Sequence, residues 1–400
     1  MSGTVKSMRL QIALFGRTNT GKSTLLNYIT NQSVAITSPI AGTTTDAVEK
    51  AMEFAPVGPV LFIDTAGLDD PTELGAERIK KTLKVFDRAD IVLLAVLPGT
   101  WGDAEEYIVS AARARKIKVI AVITQCDRAA PEADFIECLQ KKCNAVICAS
   151  ALDPARREEF ISDFRQALLK NLPESFLTPP PLIGDLVKAN DLVVMIVPID
   201  IQAPKGRLIL PQVQTIRDAL DNHAMTLVLN VEQYTSLIKF LTPRPALIIC
   251  DSQVVKSVVQ ATPQDIPCTT FSVLFSRLKG DTKVFLQGCR AISTLQNGDK
   301  VLIAEACTHH PTCEDIGRVK LPALLKKFTG KTLDIDFAPG RDYPENISQY
   351  KLIIHCGSCM LNRQETMSRI ISAQNLNIPI TNYGMAISCC QGVLDDVLIP

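Results

Sequence analysis

Cysteine and histidine recur in two short segments, Cys307-x-His309 and His355-Cys356-x-x-Cys359. Thiolate is a soft ligand suited to zinc and to iron–sulfur clusters, and the Cys-x-x-Cys spacing can place two sulfurs on one centre. Cys307 can supply a third if the segments meet in space. His309 and His355 can then complete the set, as ligands or as hydrogen-bonding neighbours. A shared centre would close a loop of about 50 residues, a tie worth roughly 3–5 kcal/mol by analogy with a disulfide. Zinc and a cluster are both compatible with the spacing alone. Cys313, Cys389 and Cys390 lie in the same region and read as small buried hydrophobes.

The other end of the chain carries a different chemistry. Gly16-Arg17-Thr18-Asn19-Thr20-Gly21-Lys22-Ser23 follows an apolar strand-like run and precedes a helical one, with Thr24 next. Glycines let such a loop curl until its backbone N–H groups point at phosphates, and the following helix adds the positive end of its dipole. Lys22 then reaches the β- and γ-phosphates and Ser23 ligates magnesium. Further along, Gly42-Thr43-Thr44-Thr45-Asp46, Asp64-Thr65-Ala66-Gly67 and Ser150-Ala151 occur in the order of a translation-factor-like GTPase. They resemble, in turn, the first switch (Thr44 on magnesium and γ-phosphate), the second switch (Asp64 on magnesium through water, Gly67 amide on γ-phosphate) and the loop that reads guanine O6.

The base-reading segment departs from the family's Asn-Lys-x-Asp pattern: it is Thr124-Gln125-Cys126-Asp127. Asp127 can still accept both guanine N–H groups. Thr124 is expected to lose a loop-bracing amide, and Gln125 to cover the base less fully than a lysine stem. Leu68 follows Gly67, so the water-orienting glutamine of Ras-like proteins is missing. Glu73 or Glu77 is the candidate to position water, and slow intrinsic hydrolysis is expected. Asn19 is similar to the loop asparagine of potassium-activated GTPases of the TrmE type, where a monovalent cation stands in the place of an arginine finger.

Elements that position these residues are legible from periodicity. Leu10–Phe15, Val60–Ile63, Ile91–Ala95, Val119–Ile123 and Ala145–Cys148 read as buried strands. They alternate with helices over Lys22–Thr30, Glu73–Phe86, Ala104–Ala114 and Arg156–Leu169, which predicts a mostly parallel sheet covered on both faces. Pro179-Pro180-Pro181 marks a linker. A small α/β unit follows, with strands over Leu192–Val197, Leu227–Leu229 and Ala246–Ile249. A third region alternates again, with helices near Phe271–Lys279, Pro322–Phe328 and Arg363–Gln374. Its strands fall near Lys300–Ala304, Thr332–Asp336 and Lys351–Ile354, and both cysteine motifs sit just after strands, where open α/β sheets bind ligands. The expected fold is therefore α/β in three domains, over 1–175, 182–265 and 268–400.

Composition sets outer bounds. The chain has 400 residues, 46% hydrophobic and 21% charged, with a formal net charge of zero. No global basic field is present to attract nucleic acid or an anionic membrane. Thirteen cysteines without a preceding secretory signal suggest reduced thiols and a cytoplasmic protein. The longest apolar runs are too short to span a bilayer.

Taken together, the motifs resemble the FeFe-hydrogenase maturation GTPase family, HydF. The likeness is carried by the GTPase segments and by Ala203-Pro204-Lys205-Gly206-Arg207-Leu208-Ile209-Leu210-Pro211-Gln212. It continues through Glu305-Ala306-Cys307-Thr308-His309-His310, His355 to Arg363, and Pro379-Ile380-Thr381-Asn382-Tyr383-Gly384. This resemblance implies a 4Fe–4S cluster on Cys307, Cys356 and Cys359 with an exchangeable fourth position. It implies a homodimer or a larger assembly that binds GTP, magnesium and potassium. It also implies a scaffold that receives a two-iron precursor from radical-SAM maturases and delivers it to apo FeFe-hydrogenase. A GTPase of RNA modification or ribosome assembly with a structural metal site is the competing expectation.

Overall fold

The structure, a computed structural model, describes residues 6–31, 48–67, 83–199, 208–306, 315–340, 343–344 and 346–400. The chain divides between Pro179 and Pro180 into two compact units, so the proline triplet lies at the boundary.

In the first unit, β1 (Leu10–Phe15), β2 (Val48–Phe54), β3 (Gly58–Asp64), β4 (Ile91–Val96), β5 (Lys118–Ile123) and β6 (Ala145–Cys148) form a sheet in the order β2-β3-β1-β4-β5-β6. All neighbours are parallel except β2, which pairs antiparallel with β3. Successive strand residues point to opposite faces, and both faces are buried. Leu10, Ile12 and Leu14 enter one core with Leu25, Leu26, Phe160 and Phe164. Ala13 and Phe15 enter the other with Phe86, Ile108 and Leu139. Fully burying each large apolar side chain contributes about 1.5–3 kcal/mol, so β1 is anchored on both sides before its carboxyl end opens into the glycine loop. Periodicity did not reveal β2, where Glu49, Lys50 and Glu53 interrupt the apolar residues and break any two-residue alternation. It also passed over the helix Ala133–Lys142, which buries little beyond Leu139.

The second unit holds two parallel sheets. β7 (Leu192–Ile196), β8 (Met225–Leu229), β9 (Leu247–Cys250) and β10 (Cys268–Thr270) lie in the order β10-β9-β7-β8. β11 (Lys300–Ala304), β12 (Asp334–Ala338), β13 (Leu352–His355) and β14 (Ile380–Asn382) lie in the order β12-β11-β13-β14. One apolar core runs from Val194, Ile196 and Ile248 of the first sheet to Val301, Ile303 and Ile354 of the second. β10 begins at Cys268, the first residue assigned from sequence to the third domain, yet it pairs with β9 of the middle sheet. Three residues are too short a run to show a period, so β10 and β14 were legible only as tertiary pairings. Among the described residues no helix is long and apolar enough to cross a membrane.

Candidate nucleotide and thiol sites

The residues predicted to bind nucleotide converge at the carboxyl ends of the first unit's parallel strands. Gly16 to Gly21 follow β1 and lead into the helix Lys22–Thr30. Asp64 ends β3, Thr124 to Asp127 follow β5, and Ser150 and Ala151 follow β6. Two glycines are required by close approach. A Cβ at Gly16 would lie 2.5 Å from the Ala95 carbonyl oxygen, and one at Gly67 would collide with Thr18 Oγ1 and lie 2.8 Å from Thr18 N. The second-switch glycine is therefore seated directly against the phosphate loop.

Lys22 is buried and curls back, donating from Nζ to Gly16 O at 3.0 Å and Arg17 O at 2.6 Å. Those carbonyls hold the ammonium over the loop that the phosphates would occupy. Ser23 Oγ donates to Asp64 Oδ2 at 2.8 Å, while Asp64 Oδ1 is buried without a hydrogen-bond partner. Burial pushes the Asp64 carboxyl up, against the lowering effects of Ser23, Lys22 and the Thr65 amide. An orphaned carboxylate oxygen beside a hydroxyl is a costly arrangement unless a cation or its water completes it. The donor set thus fits magnesium, with Ser23 and Asp64 on it.

Arg17 leaves the loop sideways, and its guanidinium makes two 2.8 Å bonds to the buried Glu105 carboxylate. Glu105 also accepts from Gly102 N at 2.9 Å, and a Cβ at Gly102 would come within 2.7 Å of Arg17 Nη2. A forked pair of this kind fixes direction as well as charge. No pattern in the sequence pointed to Glu105, because the helix carrying it, Asp103–Ala114, is separated from the loop by three strands.

At the base-reading end the outcome differs from expectation. Thr124 has no amide, but its buried hydroxyl reaches Thr20 O at 2.6 Å and Val96 O at 3.2 Å, which braces the loop from β5. Gln125 adopts a left-handed backbone, φ 56°, and its Nε2 donates to Asn19 O at 3.1 Å. Asp127 is exposed, as is Asn19 on the phosphate loop. Thr43, Thr44 and Glu73 lie outside the described residues.

In the second unit the two cysteine segments leave neighbouring strands at the same end. β11 and β13 pair with Ala304 opposite His355. Cys356 N donates to Ala304 O at 2.9 Å, and Ala306 N donates to Cys356 Sγ at 3.0 Å. Cys307 follows Ala306 in the chain. Like His309, it lies outside the described residues. Burial pushes the Cys359 thiol up, while Lys279 and the amides of Cys359 and Met360 draw it down. Sulfurs that accept backbone N–H groups near a helix N-terminus, here Arg363–Asn375 capped by Asn362, suit anionic thiolate in a cluster or zinc site. The described residues contain no group of three potential ligands, and two of the proposed thiols are among them.

His355 is held differently from a ligand. Its Nε2 faces Arg369 Nη1 at 2.9 Å, and Arg369 can only donate, so the proton sits on Nδ1. Nδ1 lies 2.9 Å from Cys356 O and 3.1 Å from Ser358 Oγ. Burial, with Arg369 adding to it, lowers this imidazole to about 3. Both ring nitrogens are engaged in shaping the Cys-x-x-Cys turn, and a metal at His355 would have to displace Arg369. The histidine stood out in the sequence, but nothing there marked Arg369, fourteen residues on, as its partner.

Three family models match the chain. "50S ribosome-binding GTPase" covers residues 11–125, "Hydrogen maturase F dimerization domain" covers 182–280, and "Hydrogen maturase F tetramerization domain" covers 283–400. Among curated proteins, the tRNA modification GTPase MnmE of Lactobacillus helveticus is 48% identical over 91 residues, 22% of this chain and 19% of that protein. MnmE of Zymomonas mobilis is 46% identical over 100 residues, 24% of this chain and 21% of that protein. GTPase Era of Nostoc is 29% identical over 178 residues, 44% of this chain and 55% of that protein. The chain thus spans about a fifth of the MnmE proteins it matches and about half of Era.

Proposed function

This chain belongs to the hydrogen maturase F family, and from that premise we propose that it is a GTP-dependent scaffold for assembling the active site of FeFe-hydrogenase. In this reading Cys307, Cys356 and Cys359 hold a 4Fe–4S cluster with one exchangeable position. The chain takes a two-iron precursor from radical-SAM maturases as cargo and passes it to apo-hydrogenase. The observation that supports the proposal is the pairing of β11 with β13, which brings Ala306, the residue before Cys307 in the chain, to Cys356 with its N 3.0 Å from Sγ. Bound there, the cluster supplies a labile coordination site for cargo. Amide donors to Cys356 and Cys359 and the Arg363–Asn375 helix terminus stabilise the thiolates' negative charge.

In the first unit, Lys22 neutralises phosphate charge, Ser23 and Asp64 hold magnesium, and Asp127 selects guanine. Asn19 is placed to support a potassium ion, so turnover is slow and potassium-stimulated; equal rates in potassium and sodium would remove that role. Ordering of the switches by GTP changes which partner surface is presented. The chain assembles as a homodimer or tetramer. Exposed Met225 and Val228 on the edge strand β8, with Val213, Leu220 and Phe240 nearby in sequence, support that association.

Anaerobic reconstitution tests the proposal. The purified chain should bind iron and sulfide in equal amounts and, once exposed to the maturases, activate apo-hydrogenase. A colourless protein with stoichiometric zinc would overturn it. The printed name of the MnmE relatives, tRNA modification GTPase, favours an RNA-linked role for the GTPase domain, and salt-sensitive RNA binding would be its signature.

A further inference from the structure

Two cysteines frame the base-reading end of the GTPase sheet, Cys126 in the turn after β5 and Cys148 at the last position of β6. β5 and β6 run parallel with Ile123 opposite Cys148, and the chain then turns so that Cys126 N donates to Ala149 O at 3.2 Å. This turn sets the Cys126 side chain next to that of Cys148, and the Cys126 thiol donates to Ile123 O at 3.2 Å. Cys148 is exposed and Cys126 half-buried. Cys126 directly precedes Asp127, and Cys148 stands two residues before Ser150.

We propose that Cys126 and Cys148 form a dithiol–disulfide site, and that its oxidation by a low-molecular-weight disulfide weakens guanine nucleotide binding. The consequence rests on the guanine reading of this domain; the disulfide itself does not. The two thiols are unequal. The neighbouring Cys126 thiol lowers Cys148 to about 7, while the nearness of Cys148 and burial hold Cys126 well above the usual thiol range. An exposed thiol poised near neutrality is the better attacking group.

Cys148 thiolate attacks one sulfur of the incoming disulfide, forming a mixed disulfide and expelling one thiolate. Cys126 gives its proton to solvent, and its sulfur then attacks Cys148 Sγ and expels the second thiolate. Two protein thiols become one disulfide, and the reagent becomes two thiols. An S–S bond of about 2.05 Å is far shorter than any non-bonded thiol–thiol contact. Cys126 must therefore move toward β6 and release Ile123 O, carrying Asp127 with it. Hydrogen bonds to a base tolerate little displacement, and loss of one charged bond lowers affinity by about tenfold or more. The Cys250–Cys268 pair lacks this character, since both residues are closed off from solvent.

The full-length chain, prepared anaerobically and treated with oxidised glutathione, provides the test. Peptide mass mapping should find Cys126 linked to Cys148. Fluorescent GDP should bind about tenfold more weakly, with recovery after dithiothreitol. The Cys148→Ser variant should bind normally when reduced and show no loss on oxidation, which separates this pair from the other thiols. Absence of the linked peptide, unchanged affinity despite the link, or an equal loss in Cys148→Ser would each overturn the proposal. If reduced protein fails to bind GDP at all, the guanine reading falls and takes the affinity consequence with it.

Discussion

The phosphate loop and the cysteine turn both leave parallel strands at their carboxyl ends, yet they are held in different ways. Braces on the phosphate loop come from distant parts of the first unit: Thr124 bonds Thr20 O, Gly67 is seated against Thr18, and Glu105 clamps Arg17. The cysteine turn is braced from its own short span, His355 on Cys356 O and Ser358, together with Arg369 of the following helix and Ala304 and Ala306 at the end of β11. A loop held by several separate elements responds when any of them moves, which suits a switch. A turn with part of its bracing built into its own few residues keeps its shape more readily, as the proposed cargo site would require.

Substitutions can break or sharpen this contrast. Lys22→Ala should lower GTP turnover by about 10²–10³-fold, as loss of one transition-state charge partner does elsewhere. Phosphate release measures that loss, and iron content after reconstitution should not change. Cys356→Ala should do the reverse. Its retention of iron should fall by more than the roughly 10–100-fold that loss of a mere outer partner costs, with GDP affinity preserved. Loss of nucleotide binding in Cys356→Ala would mean that the two ends are not independent.

Thr124→Val removes the hydroxyl that braces the loop and leaves a buried carbonyl short of a donor. GDP affinity, read by titration calorimetry, should drop about tenfold, whereas Thr124→Asn should retain it. His355→Ala strips Arg369 of its ring acceptor and should cost about 1–3 kcal/mol in thermal unfolding. Iron content should persist; its loss would make His355 a ligand after all.

The smallest effect concerns acid. Burial pushes the Glu49 carboxyl up, but its bonds to Lys6 and Arg88 outweigh that and lower it to about 2, from an ordinary value of 4.5. A depressed carboxylate stabilises the fold above its unfolded value, and the contribution is lost as pH falls from about 4.5 toward 2. Glu49→Gln should flatten the acid limb of the unfolding curve in that window. An unchanged curve would show that the pair contributes nothing measurable.

Much of this protein was legible in one dimension. Leu10–Phe15, Lys22–Thr30, Ala145–Cys148, Phe271–Lys279 and Lys300–Ala304 are observed with the bounds their periodicity suggests. The phosphate loop could be read because backbone geometry dictates where its glycines must fall. Short elements escaped: β10 and β14, at three residues each, have no period and exist only because a neighbouring strand supplies their hydrogen bonds.

By itself the sequence determined which chemistries were available, since thiols, glycines and carboxylates are properties of residue type and local spacing. The tertiary structure alone decided how they are held. It placed Cys356 against the amide of Ala306, turned His355 to Arg369, and let the Thr124 hydroxyl serve where an amide was missed. Those partners are separated by 14 to 104 residues, and no local pattern encodes contacts that only packing creates.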